Sequence, residues 1–175
     1  MGRLVEDLML LARMDEGLPL HKEPVELVAI AAEAVDAARA VGPDWPLRME
    51  SGGPVEMEGD RVGLRQVVDN LLANVRAHTP AGTTATVTVG RRAGQVVCVV
   101  ADDGPGISAE GAEAVFERFF RADPSRSRSS GGAGLGLSIV AAIVGGHGGR
   151  VRAAPVSPHG FSVTFELPVD AADTE

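Results

Sequence analysis

The stretch "DNLLANVRAHTP" at residues 69–80 sets two asparagines, Asn70 and Asn74, among leucines and a valine. Residues four apart lie on one face of a helix, so the two amides are predicted to point the same way. Asparagine prefers caps and turns to helix interiors. Its amide oxygen is a neutral ligand for Mg²⁺, which takes few protein ligands beside phosphates and water. A pair of asparagines that only bonds nearby backbone remains the alternative.

The elements around this stretch are predicted from spacing and from turn residues. Asp60 is placed to cap the asparagine helix, and "TPAG" at residues 79–82 ends it. Further helices are predicted at residues 3–16, 26–41 and 135–149, and strands at residues 46–50, 54–58, 83–92, 94–103, 150–156 and 161–169. Strands beside amphipathic helices indicate two layers, with helices on one face of a sheet and water on the other.

Composition restricts the partners of the chain. A net charge of −8 gives no basic field for nucleic acid, and a single cysteine, Cys98, rules out an internal disulfide or a multi-cysteine zinc site. Cys98 lies in "VVCVV" and is expected to be a buried, unreactive thiol. No apolar run reaches the ~18 residues of a membrane helix. We expect a cytoplasmic chain without direct membrane insertion; association through a partner or a missing N-terminal part stays open.

A second motif, "VVADDGPGIS" at residues 99–108, runs from an apolar strand into two aspartates and a glycine turn. A carboxylate at the end of a strand, beside residues without side chains, can approach a flat ligand closely. Asp102 is therefore a candidate acceptor for an exocyclic amine such as that of adenine. An ordinary Asp-Gly turn is the alternative.

A third motif, "GGAGLGLSIV" at residues 131–140, brings four glycines to the start of a helix. Free backbone N–H groups and the positive end of the helix dipole favour phosphate there. The segment before it, residues 115–132, carries four arginines that suit phosphate oxygens, although a solvated arginine-serine loop would look the same. These arginines are Arg118, Arg121, Arg126 and Arg128. We expect most of residues 104–133 to be irregular.

Taken in order, these motifs resemble the ATP-binding catalytic domain of bacterial sensor histidine kinases, over about residues 18–168. That domain shares a superfamily with gyrase, heat-shock chaperone and mismatch-repair ATPases. "LRQVVDNLLANVRAHTP" resembles the asparagine box, "DDGPGIS" the first glycine box, "VFERFFRAD" the phenylalanine box and "GGAGLGLSIV" the second glycine box. The resemblance implies a Bergerat-type α/β (α+β) two-layer sandwich. It would have a mixed, mostly antiparallel sheet of about five strands, three helices on one face and a short N-terminal helix.

The resemblance also implies the cofactors ATP and Mg²⁺ and a role for each motif residue. Asn74 would be the Mg²⁺ ligand, Asn70 would lie near the phosphates, and Asp102 would bind the adenine amine. Arg118 or Arg121 would neutralise charge during transfer. The other nucleotide-binding residues it implies are Gly104, Gly106, Ile107, Gly132, Gly134, Leu135, Gly136 and Leu137.

The sequence departs from the family pattern at several positions. Ala77 and His78 stand where a lysine and a tyrosine are common, and Asp103 replaces a frequent asparagine. The missing lysine would ordinarily touch phosphate. Arg76 is its neighbour in sequence but lies about 100° away around the helix.

None of the four histidines matches the phosphoacceptor motif of these kinases. Residues 1–18 resemble the end of the second helix of their dimerisation domain, so the chain is either a piece of such a kinase or a naturally split one. We expect residues 19–170 to form the catalytic domain, with an ATP lid at about residues 104–133, and residues 171–175 to form a tail.

The expected activity is transfer of the γ-phosphoryl group of ATP to a histidine on a dimerisation domain or a separate phosphoacceptor protein, and onward to a response-regulator receiver domain. Three alternatives remain. One is an ATPase of the same superfamily, although its catalytic glutamate would stand where this chain has Asn70. The others are a serine kinase of the anti-sigma-factor type and a non-catalytic nucleotide-binding module.

Overall fold

The computed structural model describes residues 2–17, 19–120 and 133–169, without the side chains of residues 2 and 3. The elements in chain order are α1 (Gly2–Asp15), β1 (Glu23–Glu26), α2 (Leu27–Val41), β2 (Leu47–Ser51), β3 (Glu56–Gly59), α3 (Arg61–His78), β4 (Ala85–Arg92), β5 (Gln95–Asp102), α4 (Ala109–Ala114), α5 (Gly136–Gly146), β6 (Arg150–Pro155) and β7 (Phe161–Pro168). The predicted fold class is confirmed by this arrangement.

The main sheet has five strands in the order β2-β4-β5-β7-β6. The β2–β4 pair is parallel and the other three pairs are antiparallel, so the sheet is mixed and mostly antiparallel as expected. The apolar run of β5 is explained by its central position, where both edges are paired. Cys98, in the middle of that strand, is fully buried, and burial raises the pKa of its thiol to about 12.

Helices α2, α3 and α5 cover one face of this sheet, with α3 between the other two. Their inner stripes bury aliphatic side chains, each worth about 1.5–3 kcal/mol when removed from water. The buried stripe of α3 consists of Leu64, Val67, Val68, Leu71, Leu72 and Val75. It belongs to the same hydrophobic core as Phe165 and Leu167 of β7, which are fully buried as their alternation predicts.

Strand β1 was not predicted, and β3 does not join the main sheet. The two strands pair with each other in a separate antiparallel sheet, Glu23 opposite Gly59. Glu26 ends β1 and caps α2, since its carboxylate accepts hydrogen bonds from the N–H groups of Val28 and Ala29 and also of Val55. The predicted helix start at residue 26 is therefore its cap.

Helix α3 begins and ends where the sequence indicated. Asp60 caps it by accepting from Val62 and Gly63, and Thr79 follows its last turn. The N–H of Asp60 in turn donates to Nε2 of His147 at 2.9 Å, while Nδ1 of that ring donates to Ile143 O at 2.8 Å. This buried imidazole joins the end of α5 to the start of α3.

Two further features adjust the expectations. The stretch expected to be mostly irregular contains the short helix α4, which Ser108 caps by accepting a hydrogen bond from Gly111 N–H.

Helix α1 lies where it was predicted, but only the end of its apolar stripe is covered. Leu11 is 2% exposed and packs against α5, while Leu4 and Leu8 stay 41% and 42% exposed.

Candidate functional site

Contacts at the end of α3 and the start of α5 link the four motifs. Asn70 on α3 is 8% exposed, and its Nδ2 donates to the carbonyl of Gly136, at the start of α5, over 3.4 Å. This is a long hydrogen bond and hence a weak one. Asn74 lies one turn further along α3 and is half-buried. The asparagine helix and the glycine-rich helix start are therefore direct neighbours.

Asp102 ends the central strand and is 7% exposed. Burial raises the pKa of this carboxyl above its usual value, against the hydrogen bonds from the N–H groups of Gly104 and Phe161, which lower it. Oδ1 accepts from Gly104 N–H at 2.9 Å. A carboxylate has about four lone-pair sites, so capacity remains for a ligand donor.

The turn after Asp102 requires glycine for space. A Cβ on Gly104 would come 2.7 Å from Thr79 Cγ2, and one on Gly106, which has a φ of +74°, would come 2.5 Å from the carbonyl oxygen of Gly160. Because Thr79 follows the last turn of α3, the turn is held against the end of the asparagine helix. Ile107 is half-buried next to it.

Sequence reasoning missed Trp45 and Thr79, which support the contact between the glycine turn and the end of α3. The Trp45 indole Nε1 donates to Thr79 Oγ1 at 3.1 Å, and that hydroxyl donates to Val75 O at 2.8 Å. Trp45 is the single tryptophan of the chain and lies in "GPDWP". The signal that could have indicated this role is an aromatic residue with a polar N–H in a short segment between two prolines.

The glycine-rich start of α5 is joined to the phenylalanine box. Phe119 N–H donates to Gly134 O at 3.0 Å, and a Cβ on Gly134, which has a φ of +72°, would come 3.0 Å from the Phe119 backbone. Leu135 is 2% exposed and anchors the turn, whereas Gly136 is exposed and Leu137 half-buried. In the described part of the chain no side chain caps α5, which leaves its first N–H groups for a ligand.

Of the four arginines in residues 115–132, Arg118 lies in a described range, and Arg121, Arg126 and Arg128 do not. Arg118 donates through Nη2 to both carboxylate oxygens of Asp15, at 2.6 and 2.7 Å, so its charge faces the end of α1. Both side chains are about half exposed, and such a pair contributes only about 0.2–1 kcal/mol. Arg121 and Gly132 lie outside the described residues.

Arg76, the sequence neighbour of the position where the family has a lysine, packs its stem at the end of α2. The position of a Cβ on Gly42 would be 2.8 Å from Arg76 Cδ, so the arginine stem packs over the end of α2. Ala77 and His78 are exposed in the last turn of α3.

Among the described residues there is no cluster of three or more His, Cys, Asp or Glu side chains that would hold a metal ion by itself. A metal here would therefore depend on neutral oxygens such as that of Asn74, together with oxygens of a bound phosphate and water. That donor set fits Mg²⁺, which keeps several waters and takes few protein ligands.

The fold and these motifs define an ATP-binding domain, and comparison with known proteins identifies its family. Residues 59–171 match the family described as "Histidine kinase-, DNA gyrase B-, and HSP90-like ATPase", and the chain belongs to it. It is 47% identical over 170 residues to "Probable sensor histidine kinase TcrY" of Mycobacterium tuberculosis, covering 96% of this chain and 35% of that protein. It is 39% identical to "Signal transduction histidine-protein kinase BaeS" of Escherichia coli, covering 96% of this chain and 37% of that protein.

Solved structures agree with this assignment. "Mycobacterial sensor histidine kinase MprB" superposes with a TM-score of 0.76 at 32% identity, covering 84% of this chain and 98% of that one. "ShkA full-length in complex with AMPPNP" superposes with a TM-score of 0.79 at 26% identity, covering 95% of this chain and 35% of that one. The chain spans little more than a third of the two curated relatives named above. No helix in the described ranges is long and apolar enough to cross a membrane.

Proposed function

We propose that this chain binds Mg²⁺-ATP and transfers the γ-phosphoryl group to a histidine on a separate domain or chain, as a catalytic domain of two-component signalling. The observation that carries the proposal is the meeting of the motifs: buried Asp102 beside a glycine turn, and Asn70 in contact with the start of α5. Membership of the family and similarity to named sensor histidine kinases support it.

The base would bind at the end of β5. Asp102 would accept the exocyclic amine of adenine, and Gly104 and Gly106, with Ile107 beside them, would let a flat ring approach the backbone. ShkA was solved in complex with AMPPNP, and this complex supports an adenine nucleotide as the ligand of the fold.

The phosphates would bind between α3 and α5. The N–H groups around Gly134, Leu135 and Gly136 would donate to phosphate oxygens, with Gly132 and Leu137 on either side of them, and Asn70 would hold the helix start in place through Gly136. Asn74 would supply the protein ligand of Mg²⁺, which when bound neutralises charge on the phosphate oxygens.

Transfer needs little more than position and charge neutralisation. The nitrogen of the accepting imidazole forms a bond to the γ-phosphorus as the bond to the bridging oxygen breaks, and ADP leaves. Arg118 or Arg121 would stabilise the charge that develops, which requires Arg118 to exchange Asp15 for phosphate. Because Asn70 carries an amide, it has no carboxylate to activate water, and this disfavours the ATPase alternative.

The acceptor would come from outside the chain. His147 is buried with both ring nitrogens bonded, so it is closed to phosphorylation. We propose residues 1–18 as the end of a helix of the dimerisation domain, residues 19–170 as the catalytic domain with its lid at about 104–133, and residues 171–175 as a tail. The exposed stripe of Leu4, Val5, Leu8 and Met9 supports further helical packing of α1. A response-regulator receiver domain would then take the phosphoryl group.

The test is transfer from γ-labelled ATP to the isolated histidine-bearing domain of a relative such as TcrY. We expect acid-labile label on the partner, lost with Asn74→Ala and retained with the matched control Gln66→Ala, which removes an amide two turns away on the same helix. Nucleotide binding without transfer would favour a non-catalytic module. Steady phosphate release without partner would favour the ATPase, and acid-stable label on serine would favour the serine kinase.

A further inference from the structure

The connection between β6 and β7 lies against the turn that follows Asp102. Nδ1 of His159 is 2.8 Å from the carbonyl oxygen of Asp103 and 3.3 Å from that of Gly104. Both partners are acceptors, so Nδ1 carries the proton and His159 donates. Neither the sequence motifs nor the proposed function gives this histidine a role.

The backbone of the connection is fitted to the same turn. Phe161 pairs with Asp102 across the β5–β7 ladder. A Cβ on Gly160 would collide with the carbonyl oxygen of Asp102, and Val156 N–H closes the connection by donating to Gly160 O at 3.0 Å. The backbone that follows His159 is therefore packed closely against Asp102.

The peptide group between Asp103 and Gly104 links His159 to Asp102. Its carbonyl accepts the hydrogen bond from His159, and its N–H donates to Oδ1 of Asp102 at 2.9 Å. Because a peptide group is planar, holding the carbonyl also holds the N–H, and hence the carboxylate that this N–H binds. Hydrogen bonds in such a chain also polarise one another.

We propose that His159 is a positioning residue for base recognition: through the 103–104 peptide it orients the carboxylate of Asp102 toward the exocyclic amine of the adenine ring. This inference rests on the proposed function. His159 itself is exposed and acts through the peptide, without touching the nucleotide.

The test compares two nucleotides by calorimetry on the whole chain with Mg²⁺. ADP carries the exocyclic amine, and inosine diphosphate has a carbonyl in its place. We expect His159→Ala to weaken ADP binding about three- to tenfold, the range for loss of one hydrogen bond, and to leave inosine diphosphate binding unchanged. His159→Asn, whose Nδ2 can donate from a similar place, should restore most of the ADP affinity. His21→Ala, which removes another exposed histidine, should change neither.

The outcomes separate the two claims. A wild-type chain that does not bind ADP contradicts the proposed function itself. If wild type prefers ADP and His159→Ala keeps the same preference, the inference is overturned. Equal losses for both nucleotides would indicate a purely structural role and also overturn it. As a second check, the double variant His159→Ala/Asp102→Asn should bind ADP as well as Asp102→Asn alone. A further loss of ADP affinity in the double variant would contradict the proposal that His159 acts through Asp102.

Discussion

Burial and hydrogen bonding have opposite effects on the pKa of the Asp102 carboxyl group. Burial raises its pKa, and the N–H groups of Gly104 and Phe161 lower it by a smaller amount. The ionised form is the better acceptor for an amine. Adenine nucleotide binding should therefore weaken on acidification at a higher pH than it would for an ordinary aspartate.

We predict that Asp102→Asn weakens ADP binding about 10- to 100-fold, because a hydrogen bond to a charged acceptor is replaced by one to a neutral amide. It should also remove the acid-side loss of affinity. Titration calorimetry over a pH series measures both effects, and Asp36→Asn, which changes an exposed aspartate on α2, is the control. Unchanged affinity in Asp102→Asn would place the base elsewhere.

His147 gives a prediction on stability. Burial lowers its pKa from 6.5, against the raising effect of Ile143 O. The unfolded chain then takes up the proton first as pH falls. The contribution of neutral His147 to stability is complete above about pH 6.5 and is lost as pH falls through its folded-state pKa.

His147→Gln should therefore flatten the slope of unfolding free energy between about pH 7 and pH 5. It should also lower stability at pH 8 by about 1–3 kcal/mol, because buried hydrogen bonds are lost or distorted. Urea unfolding at several pH values measures this, with His21→Gln as the exposed control. A slope equal to that of wild type would show that another group titrates.

At the residue scale, sequence reasoning could find the groups expected to face the ligand and missed those that hold them. Asn70 and Asp102 stand out because polar side chains interrupt apolar patterns. His159 bonds to backbone 55 and 56 residues away, and Trp45 to a side chain 34 residues away. Such contacts depend on strand register and loop packing, for which local sequence has no pattern.

Among the elements, the long ones and the short strands β2, β3 and β6 were predicted from the sequence, whereas β1 and α4 were not. Strands β4 and β7 and helix α3 have eight or more residues with clear periodicity, and β5 is an eight-residue strand with a nearly continuous apolar run. Strand β1 has four residues, "EPVE", of which only Val25 is buried. Helix α4 has six residues and lies in a glycine- and serine-rich stretch. Neither is long enough to show a period, and tertiary packing decides both.

Glu26 joins β1, α2 and the segment before β3, so its removal tests how these elements depend on each other. Burial raises the pKa of this carboxyl, but the hydrogen bonds from three backbone N–H groups together lower it by more. The pKa therefore lies below its usual value of 4.5. The contribution of ionised Glu26 to stability is complete above about pH 4.5 and is lost as pH falls through the folded-state pKa.

We predict that Glu26→Ala destabilises the chain by about 1–2 kcal/mol at pH 7, the upper part of the range for a lost helix cap, because Val55 N–H also loses its acceptor. The difference from wild type should shrink below pH 4. Denaturant unfolding at both pH values measures this, with Glu23→Ala as the control on the same strand. A full-size difference that persists at low pH would show that the cap does not depend on the carboxylate charge.

At the scale of the whole molecule, Cys98 reports global unfolding. It lies fully buried at the centre of the central strand, and its raised thiol pKa leaves almost no thiolate at neutral pH. Reagents should reach it only when the sheet opens. Saturating a site with ligand at 100 times its Kd stabilises the native state by about 2.7 kcal/mol.

We therefore predict that Mg²⁺-ADP at that excess slows thiol labelling of Cys98 about a hundredfold. The control is a cysteine introduced by Val62→Cys at a position that is 76% exposed, which should label quickly with or without nucleotide. If Cys98 in the native protein were labelled as fast as that surface thiol, Cys98 would not be buried in the sheet as described.

Whether a Mg²⁺-ATP site lies between α3 and α5 is decided most directly by titrating the whole chain with a non-hydrolysable ATP analogue, with and without Mg²⁺. Binding to one site that is tightened by Mg²⁺ in wild type, and that loses this dependence in Asn74→Ala with the fold intact, is the expected result. No binding, or binding that ignores both the metal and Asn74, would contradict such a site.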